Sequence, residues 1–232
     1  MKIIVNHLTR MQPGYICVAG LDLQTNAHVR PVLAGSRLTV DLLKRKGGPF
    51  DIAVVVDLGA TQPQGRPPQT EDHVFDPAQL TAVKELTAER FWKVLKSVSR
   101  NTLKETFGEK LQPQRSGCAV DEGTGSVSLG CVSPVTPPRI FINGWEKVRT
   151  RVNDGTFDID LSVTDLRLYE HDQQTPRAKM VTNIQRRIEK GVGVILSFGL
   201  ARAFRAQGDT ARRHWLQVNN IHLEDDPMWQ AT

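Results

Sequence analysis

Four times in its first 60 residues the chain repeats one pattern, a short run dense in valine and isoleucine closed by a turn. "KIIVNHLT", "GYICVAGL", "AHVRPVL" and "DIAVVVDLGA" are interrupted by Pro13-Gly14 and Gly47-Gly48-Pro49. β-branched side chains suit a pleated, half-buried surface, and Gly–Pro punctuation ends it, so this part must fold as several short strands. In "DIAVVVDL", Ile52, Val54, Val56 and Leu58 point one way while Ala53, Val55 and Asp57 point the other. Such a strand is apolar on both faces and belongs in the middle of a sheet or barrel.

The next stretch, "GATQPQGRPPQTEDH", carries Pro63, Pro67 and Pro68 with Gly59 and Gly65. Neither a helix nor a central strand tolerates that density, and it reads as a loop or linker. Beyond it, "TAVKELTAERFWKVLKSVSRNTLKETFG" is rich in helix formers, with Phe91, Leu95 and Val98 and then Leu103 and Phe107 at helical spacing. One broken helix or two short ones are predicted, closed by Gly108. In the second half, Asp154-Gly155 reads as a two-residue hairpin turn that sets Arg151 opposite Asp158 and Arg149 opposite Asp160. Those carboxylates would neutralise the two arginines and argue against their contacting a ligand. "TPRAKMVTNIQRRIEKG" predicts a helix over 177–190, its apolar side Met180, Val181, Ile184 and Ile188. The fold class expected is therefore mainly β with helical insertions (α+β). It divides into a first β segment over 1–62, a Pro-rich loop and helical insert over 63–116, and a second β segment over 117–232.

Hydrophobic content of 39% and charged content of 24% are those of a globular protein. No apolar run approaches the roughly 20 residues that span a bilayer. The start "MKIIVNHLTR" lacks a secretory signal's apolar core, so a cytoplasmic, membrane-free protein is expected. Cys17, Cys118 and Cys131 form no C-x-x-C pair, and the six histidines no H-E-x-x-H. Neither a disulfide framework nor a metal is assigned from spacing, and no cofactor is expected.

The formal charge is +5, and an anionic partner follows from it. The charge is concentrated: Arg186, Arg187, Lys190, Arg202, Arg205, Arg212 and Arg213 face only Glu189 and Asp209, a local net of +5. In "HWLQVNNIHL", Leu216 and Val218 share a face but Ile221 and Leu223 have the opposite parity, so a bulge at Asn219-Asn220 is needed to bring all four to the core. That bulge turns Trp215 and Gln217 to the other face, beside Arg212 and Arg213. The arrangement reads either as a stacking platform with phosphate-contacting arginines or as a tryptophan covering a barrel end. Arg30, biased to an extended conformation by Pro31, which also suggests a strand edge or a strand's first residue, is a further candidate contact or a structural pair. Glu71, Asp72 and His73, Asp121 and Glu122, and Glu224, Asp225 and Asp226 are the acidic groups an enzyme would use, but no nucleophile, base and orienting group can be read together.

The segments "VNHLTRMQPGYICVAGLDLQTNAHVRPVL", "DEGTGSVSLG", "DLSVTDLRLYE" and "ILSFGLARAF…HWLQVNNIHLEDDP" resemble the dual OB-containing domain family of prokaryotic proteins, over nearly the whole chain. The resemblance implies two small Greek-key barrels packed in one unit and brings no catalytic residues. OB barrels commonly grip oligonucleotides with a basic groove and stacked aromatics. The expected function is accordingly a nucleic-acid- or nucleotide-binding module, with single-stranded DNA or RNA in a groove bordered by Arg30, Arg202, Arg205, Arg212, Arg213, Trp215 and Gln217. An enzyme acting on a nucleotide or modified nucleic acid, and an adaptor whose basic helix docks an acidic protein, are the alternatives.

Overall fold

A computed structural model describes residues 1–115 and 117–230. The first unit is built from β1 (Lys2–Arg10), β2 (Ile16–Asp22), β3 (His28–Val32), β4 (Val54–Asp57), β5 (Thr61–Pro63), β6 (Asp72–Phe75) and β7 (Thr81–Glu85), in the sheet order β5-β6-β3-β2-β1-β4-β7. β3 and β6 run parallel and the other pairs antiparallel. Because β4 runs on into β5 through Leu58, Gly59 and Ala60, β5 at one end of this order continues the strand that lies next to the other end, and the sheet curls round on itself with β7 added beyond β4. Inside lie Ile3, Val5, Val18, Phe50, Val54 and Val56, all buried.

The chain then crosses by α1 (Ala88–Val98), β8 (Ser99–Arg100) and α2 (Leu103–Phe107). Thr87 and Thr102 cap the helices by accepting from the N–H groups of Arg90 and Glu105. Phe91 and Leu95 of α1 enter the first core and Leu103 and Phe107 of α2 the second, so the insert fastens one barrel to the other.

The second unit contains β9 (Gln112–Gln114), β10 (Gly117–Asp121), β11 (Leu129–Val132), β12 (Arg139–Ile142), β13 (Val148–Asn153), β14 (Asp158–Ser162), α3 (Ala178–Glu189), β15 (Val194–Leu200) and β16 (Arg213–Leu223). β12, β13 and β14 form a meander, β14 meets β16 through a parallel bridge at Val163 and Val218, β16 pairs with β15, and β15 with β11. With β11 and β12 as the two halves of one strand, this is again a closed five-stranded Greek key, with α3 between its third and fourth strands. Two OB-like barrels with helical insertions are thus what the sequence encodes. Among the described residues no helix is long and apolar enough to cross a membrane.

Several sequence-based expectations need correction. The segment after residue 62 is not only linker and helix: β5 and β6 close the first barrel and Thr81–Glu85 extends it as β7, paired with β4. Helix-forming side chains there lose to the open edge of β4, whose backbone groups need partners. Pro31 is not at a sheet edge, since β3 lies between β2 and β6. The N–H of Arg30 donates to Glu71, so the nitrogen of Pro31 faces the opposite side, where the pairing with β2 has already ended at Val29. The 154–157 hairpin is shifted by two residues: Arg151 sits opposite Asp160 and Arg149 opposite Ser162. One Asp154 oxygen accepts the N–H groups of Thr156 and Phe157 while the other accepts that of Leu103, which makes a four-residue turn of 154–157. A shift of two preserves the faces, so Val148, Val152 and Leu161 still point to the core.

Candidate nucleic-acid interface

The outer face of β12, β13 and β14 is the exposed sheet surface of the second barrel. The hairpin joining β12 to β13 is pinned by Asn143, whose Oδ1 accepts from the N–H groups of Trp145 (3.1 Å) and Lys147 (2.9 Å). Pinning holds Trp145 at the tip, where it is 82% exposed. Behind it on the face, Phe141 pairs with Arg149 and Arg139 with Arg151. Two arginines directly opposite each other repel, a cost that a bound polyanion would reverse. Arg151 is held diagonally by Asp158 at 2.7–2.9 Å. Arg149 instead bonds the hydroxyl of Ser162 (2.7 Å) and the main-chain carbonyl of Asp160 (2.9 Å), and Arg139 lies 5.6 Å from the ring centre of Phe141. Among the described residues neither Arg139 nor Arg149 has a carboxylate within ion-pair distance. The expectation that Asp160 would neutralise Arg149 therefore fails with the hairpin register.

The loop between β15 and β16 lies beside the first barrel and β10, Arg202 reaching Gln69 and Asp72 and Arg212 reaching Glu122. β16 meets β14 through the parallel Val163–Val218 bridge, so its start points away from the Trp145 end, where β10 pairs with it over Ala119–Asp121. Here the bulge falls where parity requires it: Ser197 pairs with Asn220 and Phe198 with Val218, leaving Asn219 as the extra residue. Leu216, Val218, Ile221 and Leu223 are all buried in consequence. Trp215 and Gln217 are half-buried on the other face. The Trp215 ring lies 6.3 Å from that of Phe204, which is 48% exposed, and its Nε1 is buried without a partner.

The arginines of this loop are not offset by Asp209 alone. Arg202 bonds Asp72 (2.5 Å) and Gln69, Arg212 bonds Glu122 (3.0 Å), and Arg213 bonds both Asp121 (2.9 Å) and Asp209. Hydrogen bonding to Arg213 pulls the Asp209 carboxyl below its ordinary range. Of the four, Arg205 alone has no carboxylate within ion-pair distance among the described residues. Arg30 is 5% exposed rather than at a loop mouth. Its Nε bonds Asp72 at 2.5 Å and its Nη2 has no partner.

The acidic groups go to separate structural tasks. Glu71 is buried and accepts from the N–H groups of Ser128 and Leu129 and the Ser128 hydroxyl, tying the last connection of the first barrel to the second barrel. Asp225 pairs with Arg187, and Glu224 accepts from the Trp92 indole. Trp145, Phe141 and Arg139 are the residues that sequence reasoning passed over. Asn143-Gly144 between "RIFI" and "KVRTRV" is a hairpin signal that places the following Trp on an exposed tip. A second feature is a cavity of about 360 Å³ between the barrels, where Lys44, Arg45 and Phe50 of the first face Tyr169, His171 and Arg177 of the second.

No curated protein and no solved structure gives a significant match to this sequence. The family model for the dual OB-containing domain matches residues 1–221, and with two barrels closed in the strand order described above, the chain belongs to that family.

Proposed function

We propose that the protein binds single-stranded nucleic acid across the outer face of β12, β13 and β14, between the Trp145 hairpin and the loop ending at Arg212. The observation that carries this reading is the juxtaposition of a bare tryptophan with a like-charge arginine pair and an arginine lacking a carboxylate on one sheet face. Single-strand binders combine a cationic track for the backbone with rings on which bases stack, and strands two and three of an OB barrel with the flanking loops are where they do so. Trp145 and Phe141 supply stacking, Arg139, Lys147 and Arg149 phosphate contacts, and Arg205 with Phe204, Trp215 and Gln217 the far border. Arg30, Arg202, Arg212 and Arg213 hold that border in shape through their carboxylate partners.

The cavity between the barrels supports a second reading, a nucleotide-derived ligand. Its volume lies in the range of small-molecule sites. Desolvation, followed by the nearby Arg177, lowers the Arg45 guanidinium from its ordinary range, partly offset by Asp51 of the same cavity. Polarisation titrations with labelled single-stranded DNA, single-stranded RNA, duplex and free nucleotides separate the readings. Tight binding of single strands that Trp145→Ala weakens is expected from the first. Binding of free nucleotide alone, weakened by Arg45→Ala and not by Trp145→Ala, would replace it with the second.

A further inference from the structure

At the seam between the barrels, His7 of β1, His28 of β3 and Cys131 of β11 present ligand atoms that all lie within 4.8 Å of one another. His7 and Cys131 are each 1% exposed and His28 is half-buried. The two imidazoles meet edge to face with centroids 5.2 Å apart, and the Cys131 sulfur is 3.8 Å from His28 Nε2. Two buried polar atoms here have no partner, His7 Nε2 and Asn6 Oδ1. Unpaired buried polar atoms are expensive, and two in one cluster call for an occupant.

The Asn6 amide completes the set. Its Nδ2 lies 3.3 Å from the Cys131 sulfur and 3.4 Å from His28 Nε2. Turning the amide by half a revolution puts the oxygen at that position instead. A tetrahedron with metal–ligand bonds of ~2.0–2.3 Å has edges of roughly 3.3–3.8 Å, which the three separations among Asn6, His28 and Cys131 match, with the His7 ligand atom within 4.8 Å of those of His28 and Cys131. Asn6 is the extra residue of a β1 bulge between Val5 and His7, and the bulge directs the Asn6 side chain to the seam. Outside the four, Asn219 lies 3.1 Å from His7 Nδ1 and Ser197 3.5 Å from the Cys131 sulfur. These are positions from which outer groups orient metal ligands.

We propose that Asn6, His7, His28 and Cys131 form a structural zinc site that joins the two barrels. Three of the donors come from the first barrel and one from the second, so the ion would tie together elements over a hundred residues apart in sequence. Thiolate and imidazole donors with four-fold closure select zinc over magnesium or calcium. Binding forms the zinc–sulfur bond and releases the thiol proton to solvent. Burial pushes the free Cys131 thiol up to about 11, so the metal-free site holds a neutral thiol rather than an uncompensated anion.

The test uses untagged full-length protein stripped with a chelator and titrated with cobalt(II), then zinc(II). One cobalt per chain with a sulfur-to-cobalt charge-transfer band, displaced by zinc, is expected. So is a rise in melting temperature of about 5–10 °C at a hundred-fold excess over Kd. Cys131→Ser should abolish the band and Cys118→Ser, also buried but outside the cluster, should keep it. Should Cys131→Ser not fold, His28→Gln serves in its place and should weaken cobalt binding at least ten-fold. Folded wild-type protein showing neither band nor thermal shift would overturn the proposal, as would a band surviving Cys131→Ser or unweakened by His28→Gln.

Discussion

Replacing Trp145 with alanine separates binding from folding more cleanly than any other change on this face. The residue is 82% exposed. Of the ~250 Å² a tryptophan can bury, under about 45 Å² is therefore hidden, and at ~25 cal/mol per Å² the lost burial is at most ~1 kcal/mol. Part of that is hidden by neighbours in the unfolded chain as well. A base stacked on the ring is worth ~1–3 kcal/mol, which is roughly 5- to 150-fold in Kd. Polarisation with a labelled pyrimidine oligonucleotide, beside a urea denaturation curve, gives both quantities. The expected result is a large loss of affinity with a midpoint near that of the parent. Unchanged affinity in a folded variant would refute the stacking role, and a stability loss of several kcal/mol would show that the ring packs against the barrel.

Three further outcomes follow from the ion pairs and caps. Asp165 is fully buried and bonds the Arg167 guanidinium at 3.0 and 2.8 Å, with Trp229 stacked 3.8 Å from the cation; Asp165→Ala strands that charge and should cost ~3–5 kcal/mol by denaturation, while a loss under ~1 kcal/mol would mean water reaches the arginine. Asp72→Ala should cost about as much by orphaning buried Arg30, whereas Arg202→Ala, removing the exposed partner of the same carboxylate, should cost at most ~1 kcal/mol; equal losses would show that the two pairs are equivalent. The Thr175 hydroxyl, then the N–H groups of Gln174 and Thr175, hold the Asp172 carboxyl down to about 2. Its folded value is depressed, so its contribution to stability is present above the unfolded value of ~3.9 and is lost as pH falls through about 2. NMR titration should show that value rise in Thr175→Ala, and an unmoved midpoint would contradict the assignment.

What the sequence disclosed and withheld follows from the range of the interactions involved. The bulge at Asn219 was legible because burial parity along a single strand demands it. The helix 177–190 and the capped insert were legible because their signals lie within a few residues. The pairing of Arg202 with Asp72 spans 130 positions and that of Arg212 with Glu122 spans 90, so the loop looked more cationic than it is. The His7–His28–Cys131 cluster escaped for the same reason, its members lying on three strands of two barrels. The 154–157 hairpin failed at short range instead: Asp154 uses its carboxylate on Leu103 of α2 as well as on its own turn, and tertiary capping overrode the two-residue loop.

The salt dependence of single-strand binding tests the central claim most directly. Arg139, Lys147, Arg149 and Arg205 are the cations of the proposed track for which no carboxylate partner lies within ion-pair distance among the described residues. Four phosphate contacts on a single strand give a slope of log K against log[salt] of about −2.8. The double variant Arg139→Ala with Arg149→Ala should bring it to about −1.4, with duplex binding weaker throughout. A parent slope that the double variant leaves unchanged, or no single-strand binding at low salt, would contradict an interface on this face.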